Sequence, residues 1–200
     1  MKLFETVQLG SLTLKNRLVM PPMAVGLANA DGTVNDRCIN YYGTRARGGV
    51  SMVIVEVASI DSNWRHLDGE QIGVDDDRFL PGLSRLAMAI QAGGAKATLQ
   101  IGHPGPHGHN WEDPAALLLA AVATKPAPFY PPLRQLTAGE IAGMVEAWAR
   151  CAKRTQSAGF DAVEIHGAHG YLLSSFLSPY YNRREDQYGG DIYGRSKFLM

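Results

Sequence analysis

The sequence has few of the features that mark exported, membrane or nucleic-acid-binding proteins. It contains only two cysteines, Cys38 and Cys151, far apart and in no metal-binding spacing, which argues against a disulfide framework and favours a reducing compartment, by default the cytoplasm. The first residues lack the apolar core of a signal peptide, and the longest apolar run, Ala115 to Ala123, is too short to cross a bilayer. The 19 basic and 19 acidic residues balance without blocks of like charge, so neither nucleic acid nor a membrane is an expected partner.

What the sequence has instead is a globular composition, 46% hydrophobic, arranged as short apolar runs that alternate with helix-compatible segments. Strands are predicted over residues 17–20, 51–59, 96–102 and 161–166. Helices are predicted from Asp36, around Leu83 to Ile90, over 137–159, and from Arg195 to the end. Thr137 and Glu140 have the spacing of a capping box, which places the start of the third helix.

This alternation, repeated four times, predicts parallel strands joined by crossover helices. Two architectures compete, an open doubly wound sheet and a (β/α)8 TIM barrel. The first strand ends in MPPMAVG, whereas a doubly wound dinucleotide site favours GxGxxG at that point. Because a whole barrel typically needs about 250 residues, residues 1–200 are predicted to form about the first four βα units, the N-terminal half of one barrel domain.

Barrel enzymes place their chemistry at the carboxyl ends of the strands, and each predicted strand here ends in distinctive residues. These strand-end residues are Pro22, Met23, Glu56, Ala58, Gln100, His103, Glu164, His166, His169 and Tyr171. Glu56 and Glu164, taken singly, are interpreted as ordinary polar strand ends. Gln100 resists this interpretation, because an unpaired amide in an apolar strand costs about 1–3 kcal/mol and must find partners.

Five of the six histidines fall in two clusters, HPGPHGH and HGAH, so a metal site must be considered. Neither cluster completes a familiar ligand pattern such as HExxH, and the first lies in a long Pro- and Gly-rich loop, 103–136, of a length that is usually functional. No metal site is therefore predicted. His107 and His109 are interpreted as packing residues, and His66 as a surface residue.

The HGAHGY stretch is different, because a sharp Gly-containing turn directly after a strand can bring His166 and His169 to the same side of the barrel mouth. Two N–H donors that converge on one oxygen make an oxyanion-type site. Tyr171 lies just beyond, with a hydroxyl that can donate a proton at neutral pH. Together these groups suit a reaction that turns a carbonyl compound into an enolate and then protonates its carbon.

Residues 159–190, GFDAVEIHGAHGYLLSSFLSPYYNRREDQYGG, closely resemble the signature of the old yellow enzyme family of NADH:flavin oxidoreductases, which are FMN-containing (β/α)8 barrels. The resemblance continues, in the same order, in LKNRLVMPPMA, YYGTRARGGVSMVIVEVASI, LQIGHPG and RQLTAGEIAGMVEAWARCAKRTQSAGF. It therefore covers nearly the whole chain.

The resemblance implies roles for nine residues by position. Those expected at the flavin are Pro21, Pro22, Met23 and Ala24, which would line the ring, Ala58, which would contact it, and Gln100, which would hydrogen-bond its pyrimidine edge. Those expected at the substrate are His166 and His169, which match the pair that binds the carbonyl, and Tyr171, which matches the proton donor.

In that family, flavin reduced by NADH or NADPH passes hydride to the activated C=C bond of an α,β-unsaturated carbonyl compound. The implied substrate of this protein is thus a small unsaturated carbonyl compound or thioester. The stretch MPPMAVGLANADGTVNDRCINYYGTRARGG looks most like the multidomain branch of 2,4-dienoyl-CoA reductase, enoate reductases and trimethylamine dehydrogenase. Members of that branch add a 4Fe-4S cluster and a second, FAD-binding region, expected beyond residue 200, and the full-length protein is expected to be a homo-oligomer.

Three departures from the family pattern qualify these expectations. Pro106 stands where the family commonly has Arg, and the segment AALLLAAVA is apolar enough to be expected to pack on a partner or on a further part of the protein. The chain also stops at Met200, before the loops that hold the flavin phosphate in such barrels. The 200-residue piece alone is therefore expected to bind FMN poorly and to be inactive.

Three other functions remain open from the sequence. A flavin-dependent amine dehydrogenase or demethylase of the same family is disfavoured by His166, since those relatives carry Tyr at that position. A metal-dependent barrel hydrolase would use the histidine clusters. An inactive half-barrel fragment would keep the strand-end residues without a reaction.

Overall fold

The computed structural model describes residues 1–65, 70–110, 118–121 and 133–200. An N-terminal hairpin of β1 (Val7–Leu9) and β2 (Leu12–Leu14) precedes the main sheet. The elements that follow are β3 (Val19–Met20), α1 (Asp36–Arg47), β4 (Met52–Ser59), β5 (Trp64–Arg65), α2 (Leu80–Ala92), β6 (Lys96–Gly102), β7 (His109–Asn110), β8 (Leu118–Ala120), β9 (Leu133–Gln135), α3 (Ala138–Ser157), β10 (Ala162–Ile165), α4 (Leu172–Leu177) and α5 (Ile192–Ser196). Within these ranges, no helix is both long and apolar enough to span a membrane.

Four strands form a parallel sheet in the order β10-β6-β4-β3, so neighbours in the sheet are also consecutive along the chain among these four strands. The connections run through α1, α2 and α3, which makes them crossover helices. This confirms the predicted α/β class, with four βα units arranged as part of a (β/α)8 barrel. The first strand is shorter than predicted, because Arg17 and Leu18 precede β3.

The helices begin where side chains satisfy the free backbone N–H groups of their first turn. The Asn35 side chain accepts a hydrogen bond from the Cys38 N–H at 3.1 Å and starts α1. The capping box predicted for α3 is present, since the Thr137 hydroxyl accepts from the Glu140 N–H and the Glu140 carboxylate accepts from the Thr137 N–H.

The prediction of a helix that begins at Arg195 and continues to the last residue is wrong. Asp191 accepts a hydrogen bond from the Gly194 N–H at 3.0 Å and so starts α5 earlier, and the helix ends at Ser196. The last residues are fixed by packing instead. The Phe198 ring lies edge-on to Phe176 of α4, with 4.9 Å between ring centroids.

The apolar segment 115–123, expected to pack on a partner or on a further part of the protein, packs inside the chain in its described part, residues 118–121. Leu119, Ala120 and Ala121 are buried, and β8 pairs with β9. Arg184, also buried, donates hydrogen bonds from its guanidinium to the Ala121 carbonyl at 2.9 Å. That charge-assisted bond ties the segment to the loop after α4.

A β-bulge in β4 determines which residues of this strand face the helices. Val55 pairs with Leu99 and Ala58 pairs with Ile101, so three steps on β4 match two on β6. Val55 and Ala58 both belong to the hydrophobic core that includes the inner faces of α1 and α2. The extra residue reverses the alternation, and Val57 faces the opposite side of the sheet.

Asp161 joins the amino ends of two strands. Its carboxylate accepts hydrogen bonds from the Ala97 N–H and the Lys96 ammonium, each at 2.9 Å. Burial alone raises the pKa of Asp161, but hydrogen bonds from Lys96, Ala97 and Gln91 outweigh it, and the pKa lies below its ordinary value of 3.8. The ionised form therefore stabilises the folded chain.

We expect Asp161→Asn to lower the free energy of unfolding by about 1–2 kcal/mol at pH 7, because charged hydrogen bonds at a shielded carboxylate are lost. Since the folded pKa is depressed, this contribution is present above pH 3.8 and disappears as the pH falls through the lower pKa of Asp161. Denaturant titrations between pH 3 and 7 measure it. As a control, Arg85→Gln removes the exposed pair with Asp36 and should change stability by less than about 0.5 kcal/mol. An equal effect of Asp161→Asn at both ends of the pH range would contradict the assignment.

Candidate active site

The carboxyl ends of the parallel strands surround a cavity of about 260 Å³. Its lining residues are Pro22, Met23, Ala24, Val57, Gln100, His166, His169 and Tyr171. One wall is apolar and comes from the loop after β3 and the bulge of β4. The other wall carries an amide, two imidazoles and a phenol, so the cavity offers flat apolar contact on one side and hydrogen-bonding groups on the other.

The turn after β10 places the two histidines. The His166 N–H donates to the Ile101 carbonyl at 3.0 Å, which extends the sheet hydrogen bonding by one residue and buries His166 against β6. The chain then reverses through His169 and Gly170, whose φ angles are +59° and +75°. The His166 and His169 rings end up 5.1 Å apart between centroids. The predicted convergence of the two side chains is therefore present.

Tyr171 lies against both imidazoles at the start of α4. Its ring centroid is 4.8 Å from that of His166 and 6.2 Å from that of His169. Burial raises the pKa of the Tyr171 phenol above its ordinary value of 10.0. The hydroxyl consequently keeps its proton at neutral pH.

Gln100 has the partner that its position in an apolar strand requires. Its side-chain N–H donates to the Glu164 carboxylate of the neighbouring strand at 2.6 Å, and the two residues are paired in the sheet register. Glu164 was interpreted from the sequence as an ordinary polar strand end, but in the structure it orients the Gln100 amide. A held amide that offers both a donor and an acceptor suits the edge of a heterocycle such as a pyrimidine ring.

Two of the nine predicted site residues lie outside the cavity wall. Ala58 is fully buried and faces the helix side because of the bulge in β4, and Pro21 precedes the lining part of its loop. Val57, the residue before Ala58, lines the cavity instead. The sequence did not identify Val57: Ala58 was assigned by position in the family resemblance, and nothing in the alternation of the strand indicates the bulge.

Gly102 lets the strand ends approach one another. A Cβ atom at this position would lie 2.6 Å from the Val57 side chain and 3.2 Å from the His166 Cβ. The first contact is shorter than real side chains make and the second is unusually tight, so any larger residue would force Val57 or His166 to shift, and glycine lets the bulge of β4 and the histidine turn meet across β6.

The remaining histidines lie beside the cavity or outside the described residues. His103 is fully buried, accepts a hydrogen bond at Nδ1 from the Gly105 N–H, and has its pKa lowered by burial to about 3, so it stays neutral. His107 packs against Tyr171, with 5.8 Å between ring centroids, in keeping with the packing interpretation. His66 and the side chain of His109 lie outside the described residues. Across the described ranges, no group of three or more His, Cys, Asp or Glu side chains could hold a metal ion.

We expect Gly170→Ala to destabilise the chain by about 1–2 kcal/mol, because an L-residue is disfavoured at positive φ. The added methyl would also lie 2.8 Å from the His107 imidazole Nε2. Gly167→Ala, in the same turn but with open space around its Cβ position, is the matched control and should change stability by less than about 0.5 kcal/mol. Thermal and denaturant unfolding measure both variants. Equal stabilities of the two would contradict this account of the turn.

Comparison with known proteins shows matches along the whole chain. It is 39% identical over 205 residues to an NADH oxidase of Thermoanaerobacter brockii, covering 99% of this chain and 30% of that protein. It is 40% identical over 201 residues to an NADPH dehydrogenase of Clostridium acetobutylicum, covering 100% of this chain and 58% of that protein. The chain therefore spans 30% of the length of the first of these relatives and 58% of the second.

Among solved structures, a 2-naphthoyl-CoA reductase in complex with 2-naphthoyl-CoA superposes with a TM-score of 0.92 at 30% identity, covering 99% of this chain and 32% of that one. The family model described as NADH:flavin oxidoreductase / NADH oxidase matches residues 2–200. With that match over almost every residue, this chain belongs to the NADH:flavin oxidoreductase / NADH oxidase family, the old yellow enzyme family.

Proposed function

We propose that this chain is the N-terminal half of the FMN-binding barrel of an ene-reductase. The enzyme would transfer hydride from NADH or NADPH, by way of the flavin, to the activated C=C bond of an α,β-unsaturated carbonyl compound or thioester. The observation that carries the proposal is the cavity at the strand ends, where His166, His169 and Tyr171 face the apolar loop Pro22–Ala24 across one space.

The cavity fits the ring system of a flavin better than it fits a metal ion. Pro22, Ala24 and Val57 offer apolar contact to a flat ring, and the Gln100 amide, held by Glu164, offers complementary hydrogen bonds to a pyrimidine edge. Its volume of about 260 Å³ is below the range of roughly 300–1,000 Å³ usual for whole ligands, which suits part of a larger cofactor. When bound, the flavin supplies the hydride chemistry, and the protein contributes binding, orientation and electrostatics.

The histidine pair would hold the substrate carbonyl. His166 and His169 are close enough for one N–H from each to reach a common oxygen, and such donors stabilise the negative charge that develops on it. Tyr171 would then deliver the proton to the carbon next to the carbonyl, because its raised pKa keeps the phenol protonated. The tight packing of the three rings fixes the direction from which both act.

The names of the relatives support the reductant and the substrate class. Two of them are called NADH oxidase and NADPH dehydrogenase, and the 2-naphthoyl-CoA reductase structure contains a CoA thioester. The relative of which this chain covers 30% has room for further regions such as a 4Fe-4S cluster and an FAD-binding part, whereas the relative covered to 58% has less. We propose the 4Fe-4S cluster and the FAD-binding part only if this chain belongs to a protein as long as the NADH oxidase relative.

An amine dehydrogenase of the same family is the second candidate. His166 favours the reductase, because the family resemblance implies Tyr at this position in the amine dehydrogenases, and an imidazole there would donate to a carbonyl oxygen as proposed above. Anaerobic oxidation of NADH and NADPH in the presence of an enone or a dienoyl thioester, compared with flavin reduction by trimethylamine, tests the choice. Reduction by the amine without turnover of the enone would overturn the proposed function.

In flavin-loaded protein, we expect His166→Ala or His169→Ala to weaken the binding of a carbonyl ligand by about tenfold, the loss of one hydrogen bond to a partly charged oxygen. FMN should stay bound, because neither imidazole is assigned to the flavin. Ligand titration followed by flavin absorbance, with FMN content measured after desalting, checks both points. Loss of FMN with unchanged ligand affinity would show that the two histidines support the structure and do not bind the carbonyl.

We expect Tyr171→Phe to slow reoxidation of the reduced flavin by an enone by about 10²–10⁴-fold, the usual contribution of a positioned general acid. Reduction by NAD(P)H should keep its rate. Tyr180→Phe removes the same hydroxyl from a largely exposed ring and is the matched control. Stopped-flow absorbance separates the two half-reactions. Equal slowing of both half-reactions would show that Tyr171 is not the proton donor.

A further inference from the structure

Glu56 is a buried carboxylate that the mechanism above does not use. It lies in the bulge of β4 and is completely shielded from solvent. None of the ion pairs found among the described residues includes it. Burying an unpaired acid is costly, so a carboxyl that is kept in such a place needs a reason.

Its partners are backbone N–H groups of the loop after β3. The Oε2 atom accepts a hydrogen bond from the Val25 N–H, and the Gly26 backbone also hydrogen-bonds the carboxylate. The Oε1 atom is buried without a partner among the described residues. The loop that contains Val25 and Gly26 is the same loop that supplies the apolar wall of the cavity.

The other side of Glu56 is fixed to a helix. Its own N–H donates to the Tyr42 hydroxyl of α1 at 3.1 Å, and Tyr42 is fully buried. Val57, the next residue, lines the cavity. One residue thus joins the core helix, the bulge and the cavity loop. Burial raises the pKa of Glu56, and the two backbone hydrogen bonds oppose this, which shows that the loop contact favours the ionised form.

We propose that Glu56 is the positioning residue of the cavity, because its carboxylate holds the loop that carries Pro22, Met23 and Ala24 against the ligand space. The inference deepens the proposed function and rests on it for the identity of the ligand. It needs no direct contact between Glu56 and the ligand. It also gives Glu56, the acid between Val55 and Val57, a role that an ordinary polar residue at a strand end would not have.

The first test needs no flavin. In the 200-residue chain, hydrogen exchange at the Val25 and Gly26 amides should be slower than at Ala24, whose N–H makes no hydrogen bond within the described residues. Glu56→Met, which fills the space without an acceptor, should speed exchange at Val25 and Gly26 by about tenfold or more. Exchange at Val25 as fast as at Ala24 in the unmodified chain would overturn the inference, even if the Met variant fails to fold.

The matched control is Val55→Ala, on the same strand but in the helix-side core. It should lower the unfolding temperature without a selective change at Val25 and Gly26. Glu56→Gln, which keeps one carbonyl acceptor, should fall between the unmodified chain and Glu56→Met. If Val55→Ala speeds exchange at these two amides as much as Glu56→Met does, the protection of Val25 and Gly26 reflects the overall stability of the fold and not their contact with Glu56. The positioning role is then refuted.

The second test uses FMN as the probe and separates this inference from the proposed function. If the unmodified chain binds FMN, Glu56→Met should weaken that binding by about tenfold while Val55→Ala leaves it within about twofold. Unchanged FMN affinity in Glu56→Met would refute the positioning role and leave the proposed function intact. If the unmodified protein, at whatever length it is prepared, takes up no FMN, the proposed function fails, and the exchange measurements alone decide whether Glu56 holds the loop.

Discussion

The parallel register of β4, β6 and β10 is the constraint on which the rest of the site depends. Pairing of Val55 with Leu99, and of Gln100 with Glu164, brings the carboxyl ends of three strands to one level. Residues more than a hundred positions apart in the sequence thereby share a single space. The backbone ladder sets this alignment, and the side chains at the strand ends inherit their mutual distances from it.

The side chains that line the cavity are held in fixed orientations, and few of them carry a permanent charge. Gln100 is held by a carboxylate, and Tyr171 keeps its proton in a shielded position between imidazoles. Groups of this kind, held in fixed directions, interact with a developing charge more strongly than mobile groups do, because they need not reorient.

Much of this arrangement could be predicted from the sequence, because the evidence for it is local. The alternation of apolar runs and helical segments determined the order of the elements, and Thr137 with Glu140 located the start of α3. The convergence of His166 and His169 followed from a strand that ends in a Gly-rich turn. Seven of the nine residues assigned from the family resemblance surround the cavity, although their roles there remain proposals.

What the sequence could not supply depends on non-local geometry. The bulge that exchanges Val57 for Ala58 is a property of the pairing between two strands, and nothing in MVIVEVAS distinguishes it from regular alternation. Glu56 was taken for an ordinary strand end because its partner loop lies some thirty residues away in sequence, joined to it only in the fold. The last residues of the chain are also placed by a non-local contact, between Phe198 and Phe176 of α4, whereas α5 itself starts at the local cap of Asp191.

The bulge in β4 also bears on how this region can tolerate changes in length. Deleting one residue between Val55 and Ala58 would remove the bulge: Val55 and Ala58 would still share the helix-side face, but only one residue would remain between them, so the strand would lose either Glu56 or Val57. Variation in length near the cavity should therefore be confined to the loops between strand and helix, while the strand itself keeps its residue count.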